Sequence, residues 1–260
     1  MSLQRIFAII ERDLKIVLRL KWRLVEVFYF PITSVIIWGF FTVWTKQYAI
    51  EAGFALLAIN IFWSFAYQSQ SGTNMQLMED RWNEEFKRLI TTPLRSGEYL
   101  IGKAFSSLVF TLLSFITTIL LSYYAFGYTI ISNNLILFAI LALITVCASL
   151  GIGILIASFI TVYGNEYSFF SWSVMQVFML FSAPFFPVAT YPLYLQYISK
   201  IIPFTWVFES IRSIAMTGSA PQEYIIKGVI LGVLYLTFSV PIYSLAIERA
   251  RKTGKLIKIW

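Results

Sequence analysis

The chain has 260 residues, of which 58% are hydrophobic and 13% charged, with a mean hydropathy of +0.75. Soluble domains carry about 25% charged residues, so this composition excludes an ordinary soluble fold. The chain contains no histidine, which removes the most common general base and metal ligand and argues against an enzyme or a metal site. The net charge of +7 follows membrane topology, as described below, and does not indicate nucleic-acid binding.

Segments of about 20 apolar residues span the hydrocarbon core of a bilayer. The chain contains six such segments, which leave no room for a folded soluble domain. They are Val25–Thr45, Gly53–Ser71, Ile101–Phe126, Leu135–Thr161, Tyr167–Val188 and Tyr224–Ile247. The sequence therefore predicts a single all-α integral membrane domain over residues 1–260, with six transmembrane helices within residues 24–247.

The distribution of Lys and Arg predicts the orientation of these helices. Basic residues cluster in residues 1–23, in residues 78–103 and in the tail 248–260. Because cytoplasmic loops collect Lys and Arg, we expect both termini and residues 80–95 to be cytosolic in a multi-pass protein of the cytoplasmic membrane. Residues 46–51, 132–134 and 192–200 are then expected outside.

Residues 1–23 have the pattern of an amphipathic helix. Apolar side chains recur at three- and four-residue spacing, and Arg12, Lys15 and Arg19 follow on another face. The apolar positions are Ile6, Phe7, Ile10, Leu14, Val17 and Leu18. We expect this helix to lie in the membrane interface, with its apolar stripe among the acyl chains of the lipids and its cations near the headgroups.

A charged segment, Met78–Lys103, separates the second and third predicted spans. Its first part reads as a helix that ends at Pro93, with Trp82, Phe86 and Leu89 along one side and charges of both signs around them. Such a surface suits a groove on another protein. The alternative is a helix that lies on the membrane surface.

The end of this segment matches part of a phosphate-binding loop. Gly97, Gly102 and Lys103 occupy the glycine and lysine positions, but Ala104 replaces the Ser or Thr that would bind Mg²⁺. A membrane span follows directly. We therefore expect no nucleotide here, and we expect Lys103 to extend towards the cytosolic headgroups.

Four prolines interrupt the apolar stretch between the fifth and sixth spans, at positions 184, 187, 192 and 203. Lipid cannot satisfy broken backbone, so this segment must pack against protein or lie at the outer interface. The pattern predicts a pair of short re-entrant helices on the external side. Glu209 and Arg212, three residues apart, are expected to pair across one helical face, either as a structural ion pair or as part of an exit gate.

Two of these stretches resemble motifs of type-2 ABC exporter permeases. Residues 84–94 and 98–103, EEFKRLITTPL and EYLIGK, resemble the signature after the second span of that family, although Asn83 and Glu84 stand where the family has Gly-Thr. The proline-rich residues 183–212 resemble the external segment of the same family. The order of the amphipathic helix and the six spans extends the resemblance over nearly the whole chain.

The resemblance implies a permease without its own ATPase or cofactor. Its partners would be two separate ATP-binding cassette subunits, which hold ATP and Mg²⁺, and a second permease copy, with a homodimer preferred to a heterodimer. It also implies a coupling helix, between the second and third spans, that docks on the ATPase. The coupling residues would be Trp82, Glu84, Glu85, Phe86, Arg88, Leu89, Thr92 and Pro93.

The same resemblance implies a substrate path along the second and fifth spans and an external gate above it. The path would be lined by Asn60, Trp63, Tyr67, Gln68, Trp172, Gln176 and Met179. The gate would contain Pro184, Phe185, Phe186, Pro187, Glu209 and Arg212. The implied substrate is an exported amphiphile, such as a drug, a lipid or a lipid-linked saccharide.

Two other classes of protein stay open, an ion-coupled secondary transporter and a membrane scaffold that transports nothing. A secondary transporter would need carboxylates inside the membrane. Glu26 is the only acid within a predicted span, and its position beside Arg23 favours an interfacial ion pair over a proton-coupling group.

Overall fold

The computed structural model describes residues 2–45, 50–82 and 92–253, together with Glu85 and Arg88. Within this part of the chain, all regular secondary structure is helical. The α-helices are α1 Leu3–Arg19, α2 Lys21–Thr45, α3 Ile50–Trp82, α4 Ser96–Phe126, α5 Ile130–Asn133, α6 Leu135–Tyr163, α7 Phe170–Phe181, α8 Leu193–Ile201, α9 Pro203–Thr217 and α10 Gln222–Lys252.

Four helices of the described chain are long and apolar enough to cross a membrane. They are Leu24–Thr45, Gly97–Phe126, Leu135–Tyr163 and Gln222–Lys252. These correspond to the first, third, fourth and sixth predicted spans. The protein is thus an all-helical membrane protein, and the number of six spans stays a prediction.

The second and fifth predicted spans differ from simple apolar helices. α3 has 33 residues and is about 50 Å long, but polar residues run along one of its faces. α7 has only 12 residues, about 18 Å, instead of the predicted Tyr167–Val188. It ends at Phe181 because Ala183 has a positive φ of 50° and Pro184 follows, which together turn the chain.

The core lies where α3, α6 and α9 meet. Phe62 of α3, Leu141 of α6 and Phe208 of α9 are almost completely buried in one apolar cluster. α9 is therefore an internal element, and its Pro203 at the first turn is compatible with the helix start. Two short helices, α8 and α9, lie in the segment where a re-entrant pair was predicted, and their re-entrant, external position stays a prediction.

α6 and α10 pack with their backbones in close approach. A Cβ at Gly151 would lie 2.6 Å from the backbone carbon of Tyr235, so only glycine fits this position. Gly232 of α10 faces Ile144 and Cys147 of α6 in the same contact. Small residues allow helices to pack closely in membranes, and the half-buried Cys147 serves here as a small packing residue, as predicted.

α1 packs against α4, so part of the apolar stripe that was predicted to lie among lipids contacts protein instead. Gly102 makes room for α1, since a Cβ there would lie 2.8 Å from Ile9. The protein-facing side of α1 buries Ile6, Ile9, Asp13 and Val17, whereas Phe7 and Leu18 stay exposed. The prediction that Ile6 and Val17 lie in lipid was therefore wrong, and only the exposed part of the apolar stripe is left to contact acyl chains.

Candidate functional site

A cavity of about 920 Å³ runs along one face of α3. Its lining residues on α3 recur every three or four positions through more than five turns, which is the spacing of a single helical face. They are Asn60, Trp63, Ser64, Tyr67, Gln68, Ser71, Gly72, Met75, Gln76 and Glu79. This face is about 28 Å long, close to the thickness of a bilayer core.

Four other helices complete the wall of the cavity. α2 contributes a second regular face, and α4, α7 and α1 contribute shorter patches. The residues are Trp22, Glu26, Val27, Phe30, Pro31 and Ser34 of α2, Ser107, Phe110 and Thr111 of α4, Trp172 and Gln176 of α7, and Val17 of α1. The lining combines aromatic rings, uncharged polar groups and two acids, which suits an amphiphilic ligand.

Pro31 explains the position of one polar lining residue. Proline has no N–H, so the carbonyl four residues earlier, that of Val27, loses its partner within α2. The Gln68 side-chain amide donates to this carbonyl at 2.7 Å, and the Ser114 hydroxyl lies 3.3 Å away. Gln68 thus satisfies a backbone group that lipid could not satisfy.

Six of the seven predicted path residues line this cavity: Asn60, Trp63, Tyr67, Gln68, Trp172 and Gln176. Met179 lies outside it and packs against the apolar core. Asn60 accepts a hydrogen bond from Ser34 at 2.8 Å, so it also holds α2 against α3. The α3 residues that were missed, such as Ser64 and Gln76, could have been found from the same helical spacing.

A buried charge cluster lies where α1, α3 and α4 meet. Lys103 Nζ is 3.1 Å from a carboxylate oxygen of Asp13 and 2.7 Å from Asp80 Oδ2. The side chains of Lys103, Asp13 and Asp80 are only 2%, 4% and 6% exposed. The prediction that Lys103 extends to the lipid headgroups was therefore wrong, because two carboxylates hold it inside the protein.

Arg12 completes the cluster from its outer side. Arg12 Nη2 lies 2.8 Å from Asp13 Oδ1 and 2.7 Å from Asp80 Oδ1. Burial opposes the charge of Arg12, but hydrogen bonds and attraction from Asp80 and Asp13 outweigh it and raise the pKa of the guanidinium. Burial likewise opposes the Asp80 carboxylate, and Lys103 and Arg12 together lower its pKa.

Hydrogen bonds extend the cluster in two directions. The Tyr99 hydroxyl donates to Asp80 Oδ2 at 2.7 Å. The Ser106 hydroxyl is 3.1 Å from Asp13 Oδ2 and 2.8 Å from Gln76 Oε1, and Gln76 lines the cavity. A continuous chain of polar contacts therefore joins the charge cluster to the cavity wall.

The charge cluster also contacts the predicted coupling segment. Arg12 Nη1 lies 3.4 Å from Glu85 Oε2. Arg5 donates to the backbone carbonyl of Pro93, and the Ser2 backbone N–H donates to Glu98 Oε1 at 2.7 Å. α1 is thus attached to both ends of this segment.

The remaining predicted coupling residues are described only in part. The backbone of Trp82 forms the end of α3, Arg88 is helical and exposed, and Thr92 and Pro93 form an exposed turn. Glu84, Phe86 and Leu89 lie outside the described residues, as does the side chain of Arg23. The pairing of Arg23 with Glu26 therefore stays a prediction.

The predicted gate residues form a compact arrangement around Arg212. Arg212 Nη1 pairs with Glu209 Oε1 at 2.8 Å, which confirms the predicted ion pair. Arg212 Nη2 lies 3.0 to 3.2 Å from the carbonyl oxygens of Ala183, Pro184 and Phe186. The two residues thus hold the proline-rich turn against α9.

Two further contacts hold the proline-rich turn, one from Glu209 and one from Phe185. Glu209 Oε1 accepts the N–H of Val188, which follows Pro187, at 2.8 Å. The Phe185 ring stacks on Trp38 of α2 with centroids 5.5 Å apart. The turn is therefore fixed to both α2 and α9.

Comparison with known proteins identifies the family. Residues 4–216 match the ABC-2 type transporter family. The chain is also 24% identical, over 195 residues, to the linearmycin resistance permease protein LnrN of Bacillus subtilis (strain 168). That match covers 75% of this chain and 48% of the relative, so the chain spans about half the length of that protein. This all-helical membrane protein is a member of the ABC-2 type transporter family.

Proposed function

We propose that the chain is the permease subunit of an ATP-driven exporter that moves an amphiphilic substrate out across the cytoplasmic membrane. Separate ATP-binding cassette subunits, with ATP and Mg²⁺, would dock on residues 80–94 and supply the energy. The observation that carries the proposal is the continuity of α3, which lines the cavity from Asn60 to Glu79 and enters the coupling segment at Asp80.

The helices on both sides of the coupling segment take part in the cavity wall. α3 continues into the segment and ends at Trp82, and α4 begins after the segment at Ser96 and lines the cavity with Phe110 and Thr111. Lys103 and Asp80 tie the two helices together close to the segment. A displacement of the segment by an ATPase would therefore move two walls of the cavity as one unit, with α1 attached to both.

The proposal includes a six-span topology with both termini in the cytosol. α3 and α7 would complete the set of membrane helices beside the four apolar ones, and a second copy of the chain would close the substrate path. The turn held by Arg212 and Glu209 would form the external end of that path. The regular polar and aromatic face of α3 supports a path along this helix.

The test is a charge placed in the docking surface. Phe86→Asp would put an unpaired carboxylate into a contact with the ATPase, which costs several kcal/mol when buried. We expect loss of co-purification with the partner ATPase subunit, and loss of substrate-stimulated ATP hydrolysis. Arg88→Ala, which removes one exposed charge from the same segment, is the matched control and should have a much smaller effect.

Normal ATPase association and export by Phe86→Asp would contradict the docking role and favour a helix that lies on the membrane. Export that continues with an ATPase unable to hydrolyse ATP would instead indicate an ion-coupled transporter. Absence of transport by the assembled parent complex, across a panel of amphiphiles, would favour a scaffold.

A further inference from the structure

We propose that the C-terminal end of α10 binds the headgroup of an anionic phospholipid through Arg249 and Lys252. This inference goes beyond the proposed function and does not depend on it. Its first support is the charge at this end of the helix. Arg249, Arg251 and Lys252 are exposed and form no ion pair in the described part of the chain. Glu248 is the only acid that follows position 223 in the sequence, and residues 254–260 add two lysines.

The second support is that Arg249 and Lys252 continue an apolar stripe on the outer face of α10. Phe238, Ile242 and Leu245 form this stripe and are 63%, 42% and 66% exposed. The two cations follow them at the alternating four- and three-residue spacing of a single helical face. In a membrane protein, such an exposed apolar stripe contacts the acyl chains of lipids. Arg249 and Lys252 therefore face the lipids that surround the protein.

The two cations lie at the level expected for lipid headgroups. The predicted span Tyr224–Ile247 is about 36 Å long, which is enough to cross a hydrocarbon core of about 30 Å. Arg249 and Lys252 follow its last residue by two and five positions, or about 3 Å and 8 Å along the helix axis. Long basic side chains at the end of a span extend to the headgroups. Lipid phosphate oxygens are therefore within reach of both side chains.

The chemistry of these side chains matches a headgroup with a phosphate and a net negative charge. Arg249 can bind two phosphate oxygens in parallel, and Lys252 adds a point charge. Cations directly beyond a membrane span attract anionic lipids. At the opposite end of α10, Lys227 already pairs with Glu223 and lies 4.5 Å from the centre of the Trp206 ring. The unpaired cations of α10 are thus confined to one end, so the preference applies to one leaflet.

An ATPase is the competing partner for these cations, because they lie on the same side of the protein as the coupling segment. Tyr243 and Ile247 of α10 share one apolar cluster with Leu77 and Tyr99, which lie near the two ends of that segment. The stripe, however, points sideways from the helices, where lipid lies. Within the described residues, α10 does not line the cavity, so a second copy that closes the substrate path would leave the stripe open. The position of the stripe therefore favours lipid.

The test compares phosphatidylglycerol with phosphatidylcholine that carries the same acyl chains. The binding of each lipid to the purified, full-length permease in mild detergent is titrated by native mass spectrometry. One cation near the membrane surface changes the affinity for an anionic lipid about fivefold, so we expect the parent to bind phosphatidylglycerol about tenfold more tightly. Arg249→Gln/Lys252→Gln should lose most of this preference. Arg249→Lys/Lys252→Arg, which conserves both charges, should keep it.

The matched control is Lys15→Gln/Lys227→Gln, which also removes two cations, but cations that already pair with acids. It should keep the parent preference, and the elution volume and thermal midpoint of each variant verify folding. If Arg249→Gln/Lys252→Gln does not fold, the single substitutions replace it, and each should lower the preference about threefold. Equal binding of the two lipids by the parent would overturn the proposal. So would a preference that survives the loss of both cations, or an equal loss in the control.

The same variants distinguish lipid from an ATPase as the partner. Arg249→Gln/Lys252→Gln should still co-purify with the partner ATPase subunit, because the substituted side chains face lipid. Loss of ATPase association with an unchanged lipid preference would refute the proposal and indicate a protein contact at this end of α10. The lipid titration needs no ATPase, so its result is independent of the proposed function.

Discussion

Lys103→Met is the sharpest test of the buried charge cluster. The substitution keeps a long apolar side chain but removes the ammonium group that lies 2.7 Å from Asp80 and 3.1 Å from Asp13. The net charge of the cluster, which also includes Arg12, then changes from zero to −1. Removing one partner of a buried ion pair costs about 3–5 kcal/mol, because the remaining charge is left without compensation.

We expect a loss near the lower end of this range, about 3 kcal/mol, since Arg12 still pairs with both carboxylates. The free energy of unfolding can be measured by titrating the purified protein from mild detergent into sodium dodecyl sulfate, with circular dichroism as the signal. Limited proteolysis should also show faster cleavage of α1, because Lys103 holds Asp13 of that helix.

A second substitution tests the electrostatic reasoning itself. Asp13→Asn in the Lys103→Met background returns the cluster to zero net charge, so the double variant should be more stable than Lys103→Met alone. Lys15→Met is the matched control, because Lys15 pairs with Glu11 at the exposed surface of α1 and should lose less than about 1 kcal/mol. Equal stability of Lys103→Met and the parent, or no rescue by Asp13→Asn, would refute the reasoning.

Three further predictions follow from the structure. Gln68→Leu should destabilise the protein by about 1–3 kcal/mol, because it leaves the Val27 carbonyl with only the longer 3.3 Å contact from Ser114, and Pro31→Ala should suppress the effect by restoring an N–H to α2. Arg212→Met should increase proteolysis after residue 182 by releasing three carbonyl groups, whereas Ser213→Ala should not. In a Cys147→Ser background, an impermeant thiol reagent added outside should label a cysteine at position 132 and not one at position 83; the reverse would refute the topology.

Much of the fold could be predicted from the sequence, because hydropathy and helical periodicity are local properties. The spans that became α2, α4, α6 and α10 follow directly from runs of apolar residues. The polar face of α3 was found for the same reason, since Asn60, Trp63, Tyr67 and Gln68 recur at helical spacing. The pairing of Glu209 with Arg212 needed only a separation of three residues on one helix.

The sequence could not determine which face of α1 packs against protein. Both the apolar stripe and the charged face have helical periodicity, and only the packing of α1 on Gly102 selects the side that carries Ile9 and Asp13. The sequence likewise could not show that Lys103 is held inside the protein, because its partners Asp13 and Asp80 are 90 and 23 residues away in the sequence.

By itself the sequence determined that this protein is helical, lies in a membrane and carries a charged segment between two spans. Only the tertiary structure decided that this segment is joined to the cavity through Asp80, Lys103 and Asp13. The physical reason is that the stability of a buried charge depends on which opposite charges surround it in space. Those neighbours come from three different helices, so no local sequence pattern predicts that they lie close together.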